Sequence, residues 1–198
     1  MKNTMIVTAA IMTALSANSV MAKEVDGFYL GGAIGTTGVD DGGLYDNLGP
    51  TNVDADGSTF KVIAGYQFNR IVAVEAQYTN YGDVVTKDIL NQSIYRWSPT
   101  AFSVSANLGY TFENGVRPFG IVGLSAIDLD QSLPVLQDDN GAGLRLGLGV
   151  EYTPPKLENV SFRLGYEADA FVIESVSPYQ ADKDIVIDSF YGAVSYHF

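Results

Sequence analysis

The stretch 144–169, "LRLGLGVEYTPPKLENVSFRLGYEAD", alternates on both sides of a polar, proline-bearing break. Before the break, Leu144, Leu146, Leu148, Val150 and Tyr152 share one parity, and Arg145, Gly147, Gly149 and Glu151 share the other. After it, Val160, Phe162, Leu164 and Tyr166 alternate with Ser161, Arg163, Gly165 and Glu167. A period of two predicts strands, and the short interruption "PPKLEN" predicts a hairpin. If Thr153 opposes Ser161, Glu151 opposes Arg163 and Arg145 opposes Asp169. One face is then large and apolar, and the other is small or charged. Each guanidinium on the second face stands against a carboxylate.

The same pattern runs outward through the chain. Eight strands are predicted at about 25–36, 58–68, 71–82, 99–112, 116–128, 142–153, 160–172 and 186–198. Phe60, Val62, Ala64, Tyr66 and Phe68 oppose Lys61, Ile63, Gly65 and Gln67. Val72, Val74, Ala76 and Tyr78 oppose Ala73, Glu75 and Gln77. Phe102, Val104, Ala106, Leu108, Tyr110 and Phe112 oppose Ala101, Ser103, Ser105, Asn107 and Gly109. The fifth strand, "VRPFGIVGLSAID", does not settle its own facing.

The connections alternate in length. "NR", "ENG" and "PPKLEN" are short, while "TGVDDGGLYDNLGPTNVDADG", "DVVTKDILNQSIYRWS", "LDQSLPVLQDDNG" and "IESVSPYQADKDI" are long. Long connections at one end and short turns at the other match a transmembrane barrel with extracellular loops and periplasmic turns. A water-soluble barrel has the reverse polarity, apolar within and polar without. The apolar faces are long enough for a tilted strand to cross a bilayer. Tyr66, Phe68, Tyr110, Phe112 and Tyr152 fall beside the short turns, as a periplasmic aromatic girdle does. The expected fold is an all-β, eight-stranded antiparallel up-and-down transmembrane β-barrel. Its lumen is just wide enough for side chains. By parity, Lys61, Glu75, Arg145, Glu151, Arg163, Glu167 and Asp169 point into it, with Lys61 and Asp169 alternatively wet at a rim.

Composition agrees. The chain has 198 residues, 17% of them charged, with 21 Gly, 12 Tyr, 10 Phe and one Trp. Its net charge of −12 argues against nucleic acid, which demands Lys and Arg. No cysteine is present, which excludes a disulfide scaffold or thiolate metal site. Lys2, the apolar run 5–15 and the small residues Val20 and Ala22 read as a secretory signal peptide over 1–22. The barrel domain is then 23–198.

"FYLGGAIG", "GYQFNRIVAVEAQY", "ANLGYTF", "GVEYTP" and "RLGYE" resemble strands 1, 2–3, 4, 6 and 7 of the OmpA-like eight-stranded barrels. The resemblance implies a lumen filled by a Glu, a Lys, a Glu and an Arg in salt bridges. The matching positions hold Glu75, Asn107, Glu151 and Arg163, so Asn107 stands where the family has Lys. It also implies that the terminal aromatic strand, with Phe190, Tyr196 and Phe198, is read by the outer-membrane assembly machinery. The family's periplasmic domain has no counterpart here.

Other chemistry has little support. The sole histidine, His197, reads as a rim residue of the lumen rather than a general base. "NVDADGS" imitates the start of a calcium loop, with Asp54 and Asp56 as weak candidates. The twelfth place, however, holds Ile63 instead of Glu. No motif asks for a cofactor or a resident metal. The favoured expectation is a monomeric, non-enzymatic barrel of a Gram-negative outer membrane, surrounded by lipid and lipopolysaccharide, with acidic loops facing outward. A narrow pore for ions or small solutes is the rival, and an enzyme acting on outer-leaflet lipid ranks behind it.

Overall fold

A computed structural model describes residues 26–40, 52–55, 57–87, 93–129, 140–173 and 183–198. The predicted signal peptide, 1–22, lies outside them. Among the described residues there are twelve strands: β1 (Gly27–Thr36), β2 (Gly38–Asp40), β3 (Asn52–Ala55), β4 (Ser58–Gln67), β5 (Val72–Asn80), β6 (Val84–Lys87), β7 (Ser93–Trp97), β8 (Thr100–Gly109), β9 (Val116–Asp128), β10 (Asn140–Tyr152), β11 (Val160–Ile173) and β12 (Lys183–His197).

The main sheet runs β1-β4-β5-β8-β9-β10-β11-β12, every pairing antiparallel, and closes by pairing β12 with β1. β2 continues β1 against β12 in the same register, since Gly35 pairs with Tyr191 and Gly38 with Asp188. β1 and β2 are therefore one stave, and the barrel has eight. Closure matters because an open edge in lipid would leave backbone groups unpaired at several kcal/mol each. In the opening hairpin, Glu151 pairs with Arg163 and Arg145 with Asp169, the register expected from its turn.

Three stretches depart from expectation. The connection 83–98 is largely a hairpin, β6 with β7, and β3 joins it to form a second, three-stranded sheet. These strands continue β4, β5 and β8 beyond the main sheet. The pairing sum shifts by one residue between Ala55–Val84 and Phe60–Asn80. Gly57 and Gly82 lie at that shift: Gly82 has φ 73°, and a Cβ on Gly57 would sit 2.5 Å from the Asp83 nitrogen. Asp54 lies on β3 opposite Val85, not in a loop, and Asp56 lies outside the described residues.

The second departure is that β8 ends at Gly109, short of the predicted 112. Pro118 is the reason. The Tyr110 nitrogen donates to the Pro118 oxygen at 3.1 Å, but proline has no N–H to return the bond. Third, β12 begins at Lys183, ahead of the predicted 186.

Facing follows the sequence pattern wherever that pattern alternates. Phe60, Val62, Phe102, Val104, Leu144, Leu148, Phe162, Leu164, Phe190 and Val194 are exposed, while Lys61, Glu75, Asn107, Arg145, Glu151 and Arg163 are buried. An exposed apolar band of this extent is a membrane face. β9 turns Arg117, Phe119, Ile121, Ser125 and Ile127 inward and Pro118, Val122 and Leu124 outward. The expectation of a small or charged inner face fails at one end. Tyr81, Ala101, Ile127, Phe171, Ile185 and Ile187 form a buried apolar cluster toward the long connections.

Candidate functional site

The side chains that fill the tube come from all eight of its staves. Nearest the short turns, β5 supplies Glu75 and β11 supplies Arg163. Arg163 Nη2 donates to Glu75 Oε1 at 2.8 Å and Nη1 to Oε2 at 3.2 Å. The same guanidinium reaches Glu151 on β10, with Nε and Nη2 at 3.1 and 2.9 Å from Oε2. Glu75 also accepts from the Tyr29 hydroxyl at 2.5 Å, Asn107 Nδ2 at 2.8 Å and Gln77 Nε2 at 2.9 Å. Asn107 in turn accepts from Arg117 Nη1 at 2.8 Å. The tier holds two carboxylates and two guanidiniums and is neutral.

A second tier lies toward the long connections. Lys61 on β4 donates to Glu167 on β11 at 2.8 Å, and the Tyr191 hydroxyl donates to the same carboxylate. Arg145 on β10 grips Asp169 with Nε at 2.9 Å and Nη2 at 2.5 Å, and the Tyr81 hydroxyl donates to Asp169. Arg145 Nη1 stands 3.7 Å from Glu167. Two cations again meet two anions. Gln77 joins the tiers: its amide nitrogen donates to Glu75, and its oxygen accepts from Arg145 at 3.1 Å.

Burial makes this arrangement consequential. Lys61, Glu75, Arg145, Glu167 and Asp169 are each 0% exposed, so Lys61 and Asp169 are not rim residues wetted by solvent. A buried charge is tolerated only when paired and hydrogen-bonded. Rings complete the packing, with Lys61 Nζ 4.4 Å from the Tyr191 centroid and Arg163 Cζ 4.8 Å from Phe119.

All six lumen residues expected from sequence, Glu75, Asn107, Glu151, Arg163, Arg145 and Glu167, are in these tiers. Sequence reasoning missed Arg117, because β9 has large side chains on both parities. It also missed the hydroxyls of Tyr29, Tyr81 and Tyr191 and the bridging role of Gln77. Their inward parity was the available signal. Asn107 does not simply leave a cation out, since Arg117 on the next stave supplies one through the Asn107 amide. His197 stacks on Tyr29 with centroids 5.1 Å apart, and its Nε2 lies 3.0 Å from Ser161 Oγ, at the short-turn mouth. Phe190, Tyr196 and Phe198 face outward, and the Phe198 nitrogen donates to the Phe28 oxygen at 3.0 Å.

A closed tube with an apolar exterior and a paired, charged interior is an eight-stranded membrane barrel. The chain belongs to the outer membrane protein beta-barrel domain family, whose model matches residues 7–198. No curated protein matches the sequence significantly. Among solved structures, Neisserial surface protein A is similar at TM-score 0.61 and 20% identity, over 86% of this chain and 97% of that one. Ail, the attachment invasion locus protein of Yersinia pestis, gives 0.54 and 15%, over 88% and 100%. OprG of Pseudomonas aeruginosa gives 0.53 and 12%, over 91% and 100%. At these identities the likeness is one of fold.

Proposed function

We propose that this protein is a monomeric surface barrel of a Gram-negative outer membrane. In this reading the barrel is an anchor, and the acidic connections at its outer end make the contacts. The observation that carries it is the lumen. Two neutral ion-pair tiers and an apolar tier occupy the tube in series, and five of its charged side chains have no solvent access. Such a filling suits an anchor better than a channel. Lipid and lipopolysaccharide surround the wall in this account. The outward aromatics Phe190, Tyr196 and Phe198 serve as the mark read by the assembly machinery.

The narrow pore keeps one specific observation in its favour. The hydroxyls of Ser103 and Ser105, on the inner face of β8, have no hydrogen-bond partner among the described residues. A file of water beside the ion pairs would satisfy them. Planar-bilayer recording decides between the two. The refolded protein is expected to show no discrete conductance steps, and reproducible single-channel steps would establish the pore instead.

A further inference from the structure

Glycines that face the lumen are accounted for by crowding. A Cβ on Gly65 would lie 2.3 Å from the Tyr29 ring, and one on Gly165 would lie 2.7 Å from the Tyr191 ring. Gly32 and Gly192 face outward, and crowding does not account for them. A Cβ on Gly32 would meet nothing nearer than the Lys61 carbonyl oxygen at 4.0 Å, and one on Gly192 nothing nearer than Leu164 Cδ2 at 3.7 Å. Neither has a positive φ. Glycine inside a strand weakens it, and a lipid-facing position has ample room for Val or Leu. The fold alone asks for neither residue.

Their surroundings give them a use. Gly32 lies between Val62 and Val194 in the ladders, and Gly192 lies between Ile34 and Leu164. Each glycine is thus a floor one side chain deep between branched walls. Two depressions of about 460 and about 600 Å³ meet at Gly32 and Val194. Together they make a trough over the β12–β1 seam, reaching from β4 to β10. Ser195 and Arg163 border it, but their side chains are buried in the lumen. Its hydroxyl-bearing margin, Tyr196 and Tyr152, lies at the short-turn end of the barrel.

We infer that this trough seats one acyl chain of a phospholipid from the periplasmic leaflet. The inference rests on the family's membrane placement and goes beyond the anchoring role. A second copy is a poor occupant. A specific protein interface needs about 1,000 Å² or more in close contact. A second convex barrel would rest on Phe60 and Phe162, which rise beside the floor, and leave the glycines uncovered. A methylene chain is thin enough to reach the floor and gains dispersion contact on three sides. The tyrosines at the margin set the level, because Tyr is enriched where acyl chains meet headgroups.

The test uses methyl-labelled protein in phospholipid nanodiscs containing a fraction of phospholipid with a mid-chain nitroxide. Val62 and Val194 methyl signals are expected to broaden severalfold more than those of Val104 and Val122 on the opposite wall. G32L with G192L fills the trough without touching a buried group and is expected to abolish that preference. Equal broadening on both walls of the native protein overturns the inference. So does a preference that survives the filled trough, or efficient disulfide pairing of two copies through G192C. A chain that fails to insert into the nanodiscs would overturn the membrane reading along with it.

Discussion

The middle and the outer end of the lumen fill the same tube in opposite ways. The middle is packed with eight charges in two neutral sets, while the outer end is packed with Ile127, Phe171, Ile185 and Ile187. Both regions are buried. The difference lies in how each one fails. An apolar tier loses contacts in proportion to the volume removed. An ion-pair tier loses more than the deleted group, because its partner is left buried and alone.

The largest effect should come from Arg163, which holds both Glu75 and Glu151. Arg163→Ala is expected to cost about 3–5 kcal/mol, seen as a lower midpoint for unfolding of the micelle-bound barrel. An unchanged midpoint would remove the argument for compensation. Ile187→Ala, in the apolar tier, should cost about 2–4 kcal/mol in the same assay. Filling the cavity with a volume-matched residue such as leucine should cost much less. The smallest effect concerns the wall. Pro118→Val restores the missing donor opposite Tyr110 and should raise stability by about 0.5–1.5 kcal/mol. The amide created at residue 118 should be protected from exchange, and that of Tyr110 should exchange more slowly. A loss of stability there would mean that the β8–β9 seam is held by something other than its ladder.

The same contrast explains what was legible in the sequence. The hairpin from Leu144 to Asp169 could be read because its turn is short and its charges occupy one parity, so a single register satisfies both. β9 could not. Phe119 and Ile121 fill the lumen while Val122 and Leu124 face lipid, so hydrophobicity carries no parity there, and Arg117 was lost with it. Tyr29 and Tyr191 were not singled out, because an aromatic ring on the inward parity does not announce that its hydroxyl finishes a carboxylate's coordination. The strands β3, β6 and β7 were hidden for a different reason. They extend past the lipid-facing band, where alternation between lipid and lumen no longer shapes the sequence. Asn107 is instructive in the other direction: its position was legible from the resemblance, but the cation it works with comes from a strand the pattern could not orient.

The account stands or falls on compensation between buried charges, and Arg145–Asp169 is the cleanest pair for testing it. The two residues face each other in the ladder, and Glu167 keeps Lys61 as its closer partner, at 2.8 Å against 3.7 Å from Arg145. The measurement is a double-mutant cycle by denaturant unfolding of the reconstituted barrel, with Arg145→Met, Asp169→Leu and the two together. Each single change should cost about 3–5 kcal/mol. The double should recover most of one loss, with a coupling of about 2–3 kcal/mol. Strictly additive losses would contradict the account, because they would mean that each side chain serves only as packing and that the lumen charges do not depend on one another.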